Sequence, residues 1–481
     1  MCESMNKSTR IEVDSLGSKE IPNDAYYGIQ SKRGKENFPL SGYPVHLELI
    51  KAMGKVKYAS AEANVKTGKM TEKLGNTIKQ ACQELIDGKF NDDVIVEAIQ
   101  GGAGTSINMN VNEIIANRAI ELLGEEKGDY SVVSPNTHVN MAQSTNDVVP
   151  TSFKVAVLSM RQKLIEKLEE LQKTLKEKEQ EFDNVVKPGR THLQDAVPIR
   201  LGQEFGAYAR FVERDIKRIS NAIESLKTVN LGATAVGTGL NADPKYIESA
   251  IEELRNITGF DLECGEHLVD ATQNTDSYVN VSGALKVTAI NLSKMANDLR
   301  MMASGPRCGL NEINLPSVQP GSSIMPGKVN PVIPEVINQI CFQVAGNDHT
   351  ISMASEAGQL ELNVMGPVLF RNLFESIEIL TNGVDILANK CIAEIEANVE
   401  YSQKQVENSI GIITALNPHL GYETSSDIAK EVLDTGRSVR EVVRERDILD
   451  EEEVDRILQP KEMTEPGIAG EKEEAVRKQS I

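Results

Sequence analysis

The run Gly321-Ser322-Ser323-Ile324-Met325-Pro326-Gly327-Lys328-Val329-Asn330 places two hydroxyls, a cation and an amide between glycines and a proline. It lies in a Gly/Pro-rich stretch, from Gly305 to Pro331, that separates two helical patterns. Loops of that length inside a folded chain are usually functional or disordered. Three further segments gather polar groups where a helix core would not hold them. They are Gly104-Thr105-Ser106-Ile107-Asn108, Gln143-Ser144-Thr145-Asn146-Asp147 and Gly189-Arg190-Thr191-His192. All four lie at or between helix ends, where unpaired backbone N–H groups and hydroxyls can meet an anion. A set of Ser, Thr, Asn, Lys and Arg with one His suits a substrate carrying carboxylates. Proton abstraction beside a carboxylate needs no cofactor, whereas hydride and radical chemistry do.

Plainer readings compete at each place. Ser144-Thr145-Asn146-Asp147 ahead of Pro150 also reads as a helix cap. Thr191-His192 after Pro188-Gly189 also reads as a turn between helices. Gly101-Gly102-Ala103-Gly104 fails the dinucleotide fingerprint, because position 107 is Ile and no strand pattern precedes it. Gly321 to Val329 fails the phosphate-loop pattern, which requires four residues between its glycines and Ser or Thr after the lysine. Zinc spacings and the G-x-S-x-G elbow are absent from the sequence.

The elements that must position these groups are helical. Apolar patterning predicts helices at 48–66, 72–87 and 107–124. From Thr151 to Lys187 there is neither Gly nor Pro, and Leu164, Leu168, Leu171, Leu175 and Phe182 form a stripe. Pro188-Gly189 ends it. A second helix is expected at about 199–228, with Phe205, Val212, Ile216, Ile219, Ile223 and Leu226 on one face. Further long helices are expected over 274–303, 331–356 and 366–397. The expected fold is therefore all-α, an elongated central bundle of long helices with smaller N- and C-terminal domains. The expected division is 1–144, 145–397 and 398–481, with a frayed tail at 470–481.

Composition agrees. The 481 residues contain no Trp and few aromatics, and the formal charge is −20. Such a surface repels nucleic acid and anionic membranes. The sequence contains no apolar run that approaches the ~20 residues of a membrane span, and Met1 to Lys7 do not open a signal peptide. Six scattered cysteines, Cys2, Cys82, Cys264, Cys308, Cys341 and Cys391, read as reduced thiols of a cytoplasmic protein.

Gly321 to Pro331 resembles the signature of the fumarase/aspartase superfamily, and the other three segments resemble its remaining blocks in the same order. The resemblance runs from about Ile11 to Gly470. Ser106, Ser144-Thr145-Asn146 and Pro331-Val-Ile-Pro-Glu335 look like the aspartate ammonia-lyase branch. His192 is typical of fumarases, and the ammonia-lyases carry either His or Gln there, so fumarate hydratase stays as the alternative. A third reading, a retained fold without activity, runs against the presence of Ser322, Lys328, Asn330 and His192.

The resemblance implies reversible loss of ammonia from L-aspartate to give fumarate, with Ser322 as the base at Cβ. It implies that Thr105, Ser144, Thr145 and Ser323 bind the β-carboxylate, and that Thr191, Lys328 and Asn330 bind the α-carboxylate. Asn146 and His192 would meet the amino group. No cofactor is implied. Activation by a divalent cation occurs in some members, and no metal site is assigned here. An ammonium leaves as neutral ammonia without a general acid, whereas loss of water from malate needs one. The helix after Ser144 holds about 36 residues, which puts ~54 Å between its ends at 1.5 Å each. A site using both Ser144 and Thr191 must then borrow from a second subunit, and the resemblance implies a homotetramer with shared sites.

Overall fold

A computed structural model describes residues 8–471. Cys2, the Met1 to Lys7 segment and residues 472–481 of the expected tail lie outside the described residues. The chain is 62% helical, and its strands are paired only in four two-stranded sheets, which makes it all-α. Five long helices dominate: Thr145–Glu181, Leu201–Glu224, Asp276–Met302, Val332–Glu356 and Gly366–Lys390. No helix among the described residues is long and apolar enough to cross a membrane. None of the five described cysteines is in a disulfide.

The first long helix begins earlier than its sequence pattern suggests, at Thr145, and so contains Pro150. Proline cannot bond the carbonyl four residues back. Here that carbonyl, of Asn146, instead accepts a hydrogen bond from Asn230 Nδ2 at 3.0 Å, so the helix continues unbroken. Its expected stripe, Leu164, Leu168, Leu171, Leu175 and Phe182, is buried. The next long helix buries Phe205, Val212, Ile219 and Ile223 as its pattern predicts, and Leu226 is buried in the 3-10 turn Ser225–Lys227 that follows it. Ile216 is only half-buried, and its neighbour Asp215 is buried instead. The Asp215 carboxylate accepts Asn291 Nδ2 on both oxygens, at 3.0 and 2.9 Å.

Between these helices the expected simple turn is a β-hairpin, Val186–Thr191 paired with Gln194–Arg200. The last predicted helix also stops short, at Lys390, and leads through Ile392–Glu394 into the short strand Glu396–Ala397.

The chain folds as two compact units. One comprises residues up to Glu166, Lys217–Ala289 and Cys341–Thr381. The other comprises Lys167–Ile216, Ile290–Ile340 and the chain from Asn382 onward. In the first unit Phe153 anchors the core. Its ring lies 4.0 Å from that of Phe370, 4.8 Å from Phe374 and 5.1 Å from Tyr278, joining three long helices. Burying each such ring stabilises by about 1.5 to 3 kcal/mol. In the second unit Val406, Leu416, Ile428, Val442, Val454 and Ile457 form a core of their own.

Candidate active site

The first unit holds Thr105, Ser144, Thr145 and Asn146. Gly102, Ala103 and Gly104 all have positive φ, at 87°, 57° and 96°, and deliver the chain to the helix Thr105–Leu122. Gly104 has no side chain to cap that helix, and two of its first N–H groups are satisfied from the preceding loop: Thr105 N–H donates to Gly102 O at 2.9 Å and Ile107 N–H to Gln100 Oε1 at 3.1 Å. A Cβ on Gly104 would stand 3.1 Å from Val149, which shows how closely this loop approaches the Thr145–Glu181 helix. The two segments also join through Asn108, whose Nδ2 donates to Thr145 Oγ1 at 3.3 Å.

Ser144 is the cap that the plainer reading anticipated. Its Oγ accepts Asn146 N–H at 3.2 Å, and its own N–H donates to Asp147 Oδ1 at 2.9 Å. Capping and binding are compatible here. The Ser144 and Thr145 oxygens both act as acceptors within the protein, so both hydroxyl hydrogens remain to be donated to a carboxylate. The Thr105 hydroxyl is turned away, donating to Gly102 O at 2.8 Å.

Beneath these groups lies a buried polar layer that sequence reasoning missed. Lys57 Nζ donates to Asn140 Oδ1 and to Gln143 Oε1, each at 2.9 Å. Asn140 Oδ1 also accepts Asn108 and Asn112, each at 3.2 Å. Burial pulls the Lys57 ammonium down to about 7, partly opposed by the Asp147 charge. Burial pushes the Asp147 carboxyl up to about 6, against three backbone hydrogen bonds that favour the anion. Asn108 and Asn112, four apart on one helix, were the available signal, since two amides on a buried face need partners.

The second unit holds the other six residues. Thr191 pairs with Gln194, so His192 and Leu193 alone make the hairpin turn, with φ of 56° and 60°. Two positive φ values define the tight turn that Asn-Gly normally occupies. Non-glycine residues there carry strain, and strained turns concentrate at functional sites. Thr191, His192 and Leu193 are all exposed. Behind the turn, Arg190 Nη1 donates to Glu312 Oε1, and Lys187 lies between Glu312, at 3.1 Å, and Glu204, at 2.9 Å. Glu204 is held above the ordinary carboxylate range by burial.

The loop bearing Ser322, Ser323, Lys328 and Asn330 is closed on itself. Gly321 N–H donates to Lys328 O at 2.9 Å, and Asn330 Nδ2 donates to Gly321 O at 2.6 Å. A Cβ on Gly321 would meet Lys328 O at 2.2 Å, so only glycine fits. Ser322 Oγ accepts two backbone N–H groups, from Ile324 at 3.2 Å and Met325 at 2.9 Å. Two such donors favour the serine oxyanion over the neutral hydroxyl. Ser323 and Lys328 are exposed, and Ile324, Met325 and Val329 expose apolar side chains around them. Among the described residues no three His, Cys, Asp or Glu cluster so as to hold a metal ion.

Against known proteins, residues 17–346 match the model of a family described as Lyase, and residues 412–465 match that of the fumarase C C-terminus. The chain belongs to the fumarase/aspartase superfamily. Within the superfamily it is 60% identical to an aspartate ammonia-lyase of a Bacillus species, over 97% of this chain and all of that one. A crystal structure of the fumarate lyase:delta crystallin of Brucella melitensis bound to cobalt matches with a TM-score of 0.93 and 48% identity. That match covers 95% of this chain and all of the other. A class II fumarase of Schistosoma mansoni matches with a TM-score of 0.91, at 35% identity, over 95% of this chain and 99% of its own. A class II fumarase of the superfamily thus shares this fold, and of the relatives named the higher identity lies with the ammonia-lyase.

Proposed function

We propose that this chain catalyses the reversible elimination of ammonia from L-aspartate to give fumarate. The observation that carries the proposal is Ser322 Oγ receiving two backbone N–H groups inside the glycine-closed loop, in a chain 60% identical to an aspartate ammonia-lyase. Ser322 Oγ, as the oxyanion, takes a proton from Cβ. The electron pair left behind moves into the β-carboxylate and gives a dianionic enediolate. Collapse of that intermediate forms the Cα–Cβ double bond and breaks the C–N bond, and neutral ammonia departs.

The enediolate is the costly species, so donors must face the β-carboxylate. Ser144, Thr145 and Ser323 take that role in this reading, joined by Thr105 once its hydroxyl rotates off Gly102 O, and each contributes about 3 kcal/mol on the scale of an oxyanion-hole donor. Thr191, Lys328 and Asn330 hold the α-carboxylate, while Asn146 and His192 face the amine. The reaction needs no cofactor in this reading, and a divalent cation would act only as an activator. The exposed apolar residues of the 321–330 loop close over the bound substrate and exclude water.

The site is shared between subunits. The Thr145–Glu181 helix is 37 residues long, about 55 Å at 1.5 Å per residue. Ser144 stands at its start and the hairpin of Thr191 and His192 follows its end. We read the protein as a cytoplasmic homotetramer in which each site draws on more than one chain.

Two measurements test this reading. Fumarate formation from L-aspartate, followed by its ultraviolet absorbance, must appear with the native chain and be lost in Ser322→Ala. Mixing Ser322→Ala with His192→Ala subunits after partial unfolding must restore activity. If subunits exchange and no activity returns, the sites are not shared.

A further inference from the structure

The helix Thr105–Leu122 starts from a glycine, and its cap comes from elsewhere in the chain. Gly104 holds φ of 96°, a left-handed conformation that disfavours a side chain, and a Cβ there would stand 3.1 Å from Val149. The serine, threonine or asparagine that usually caps a helix is therefore shut out of this position. Gln100 takes over the task from four residues upstream. Its Oε1 accepts the Ile107 N–H at 3.1 Å, the group that an ordinary capping side chain at Gly104 would accept. Gln100 is only 7% exposed, and its Nε2 donates to Glu97 O at 2.6 Å. One buried amide thus joins the first turn of the helix to the segment that precedes the glycine loop.

That segment is itself fixed. The Glu97 carboxylate accepts the N–H groups of Leu40 at 3.2 Å, Ser41 at 2.6 Å and Gly42 at 2.9 Å, and the Ser41 hydroxyl at 2.8 Å. Ala98 N–H donates to Tyr43 O at 2.9 Å. Gln100 therefore pins the helix to an anchored stretch of backbone. Between Gln100 and Ile107 the chain passes through Gly102, Ala103 and Gly104, all at positive φ. Glycines allow many paths, so contacts must select this one. Within the loop, Gly102 O accepts both the Thr105 N–H at 2.9 Å and the Thr105 hydroxyl at 2.8 Å. When that hydroxyl turns to a carboxylate, Gly102 O keeps only the N–H, and the brace from Gln100 remains.

We propose that Gln100 is a positioning residue for the reaction: its amide fixes the Gly101 to Gly104 loop and the first helical turn, and so aims Thr105 at the β-carboxylate as that group becomes the enediolate. This rests on the reading that gives Thr105 to the β-carboxylate. The enediolate carries one more negative charge there than the bound substrate, so a misplaced donor weakens the transition state more than the ground state. Loss of the brace is then read mainly in kcat. A residue that only stabilised the fold would leave kcat per folded enzyme unchanged.

Gln100→Leu removes both hydrogen bonds and keeps much of the side chain's bulk. With L-aspartate and the full-length protein, its kcat is expected to fall about tenfold, the scale of one charge-assisted hydrogen bond, while KM stays within about threefold. The same change made in Thr105→Val should lower kcat by less than about twofold further, because Gln100 acts through Thr105. Gln100→Glu decides the matter if Gln100→Leu does not fold. A carboxylic acid offers one donor and one acceptor as the amide does, whereas a carboxylate has no donor for Glu97 O. The kcat of Gln100→Glu relative to the native protein should therefore rise at least about threefold from about pH 9 to about pH 6. An unchanged kcat in folded Gln100→Leu, equal losses with and without Thr105, or a Gln100→Glu ratio that does not move with pH overturns the positioning role and leaves the ammonia-lyase reading intact. If the native chain forms no fumarate from L-aspartate, that reading falls and the role of Gln100 falls with it.

Discussion

Replacing Glu312 by glutamine removes one charge from a buried quartet and keeps its volume. Arg190 and Lys187 both face Glu312, while Lys187 also bonds Glu204, so two cations and two carboxylates balance. Side-chain exposure is 1% for Glu312 and 3% for Lys187. In Glu312→Gln, Lys187 keeps Glu204, and Arg190 is left as an uncompensated charge. Breaking one side of a buried pair costs about 3 to 5 kcal/mol. Arg190 retains 16% of its side-chain surface in water, which places the expected loss at the lower end, about 3 kcal/mol. Urea unfolding followed by circular dichroism measures it. Because Arg190 adjoins Thr191, the KM for aspartate should rise in the folded variant. Adding Arg190→Met restores neutrality, so the double variant should be more stable than the sum of its parts by about 1 to 3 kcal/mol. A loss under about 1 kcal/mol for Glu312→Gln, or strict additivity, refutes the argument that this quartet anchors the hairpin.

Other expectations follow from single observations. Ser322→Ala should lower kcat by about 10²- to 10⁴-fold, the range of a lost general base. Ser322 lies in a surface loop, so its thermal midpoint should not move, and a parallel loss of stability would count against a purely catalytic role. Burial depresses Lys57 to about 7 and Lys154 to about 8, from an unfolded value of 10.5. Between pH 7 and 8.5 the unfolded chain therefore holds protons that the folded chain has released, and stability should rise with pH. Lys57→Met should flatten that rise in melting temperature, and an unchanged slope would mean that Lys57 is not buried as described. Above pH 9 the buried Cys82 thiol, held up to about 12, acts in the opposite sense, which sets the upper limit of the window.

Helices were legible wherever apolar residues recur at helical spacing, as the buried stripe from Leu164 to Phe182 illustrates. The start at Thr145 was not, because Pro150 reads as a boundary unless Asn230, 80 residues away in sequence, is known to satisfy the orphaned carbonyl. The hairpin at Val186–Arg200 was hidden for a similar reason. His192-Leu193 carries none of the glycine or asparagine that marks a two-residue turn, and tertiary contacts impose its geometry. The four polar segments were legible as types and spacing. The layer behind them was not, since Lys57, Asn140, Asp147 and Glu312 look like ordinary polar residues until burial and partners are known. Residue types that touch a substrate are constrained by its chemistry, whereas those that hold them are constrained only by geometry.

The reaction proposed for this chain moves ammonia rather than water. Incubating the chain with fumarate, with and without ammonium, and identifying the product separates the two reactions. Fumarate absorbance should fall only when ammonium is present, with L-aspartate as the product. Malate formed from fumarate without ammonium would contradict it.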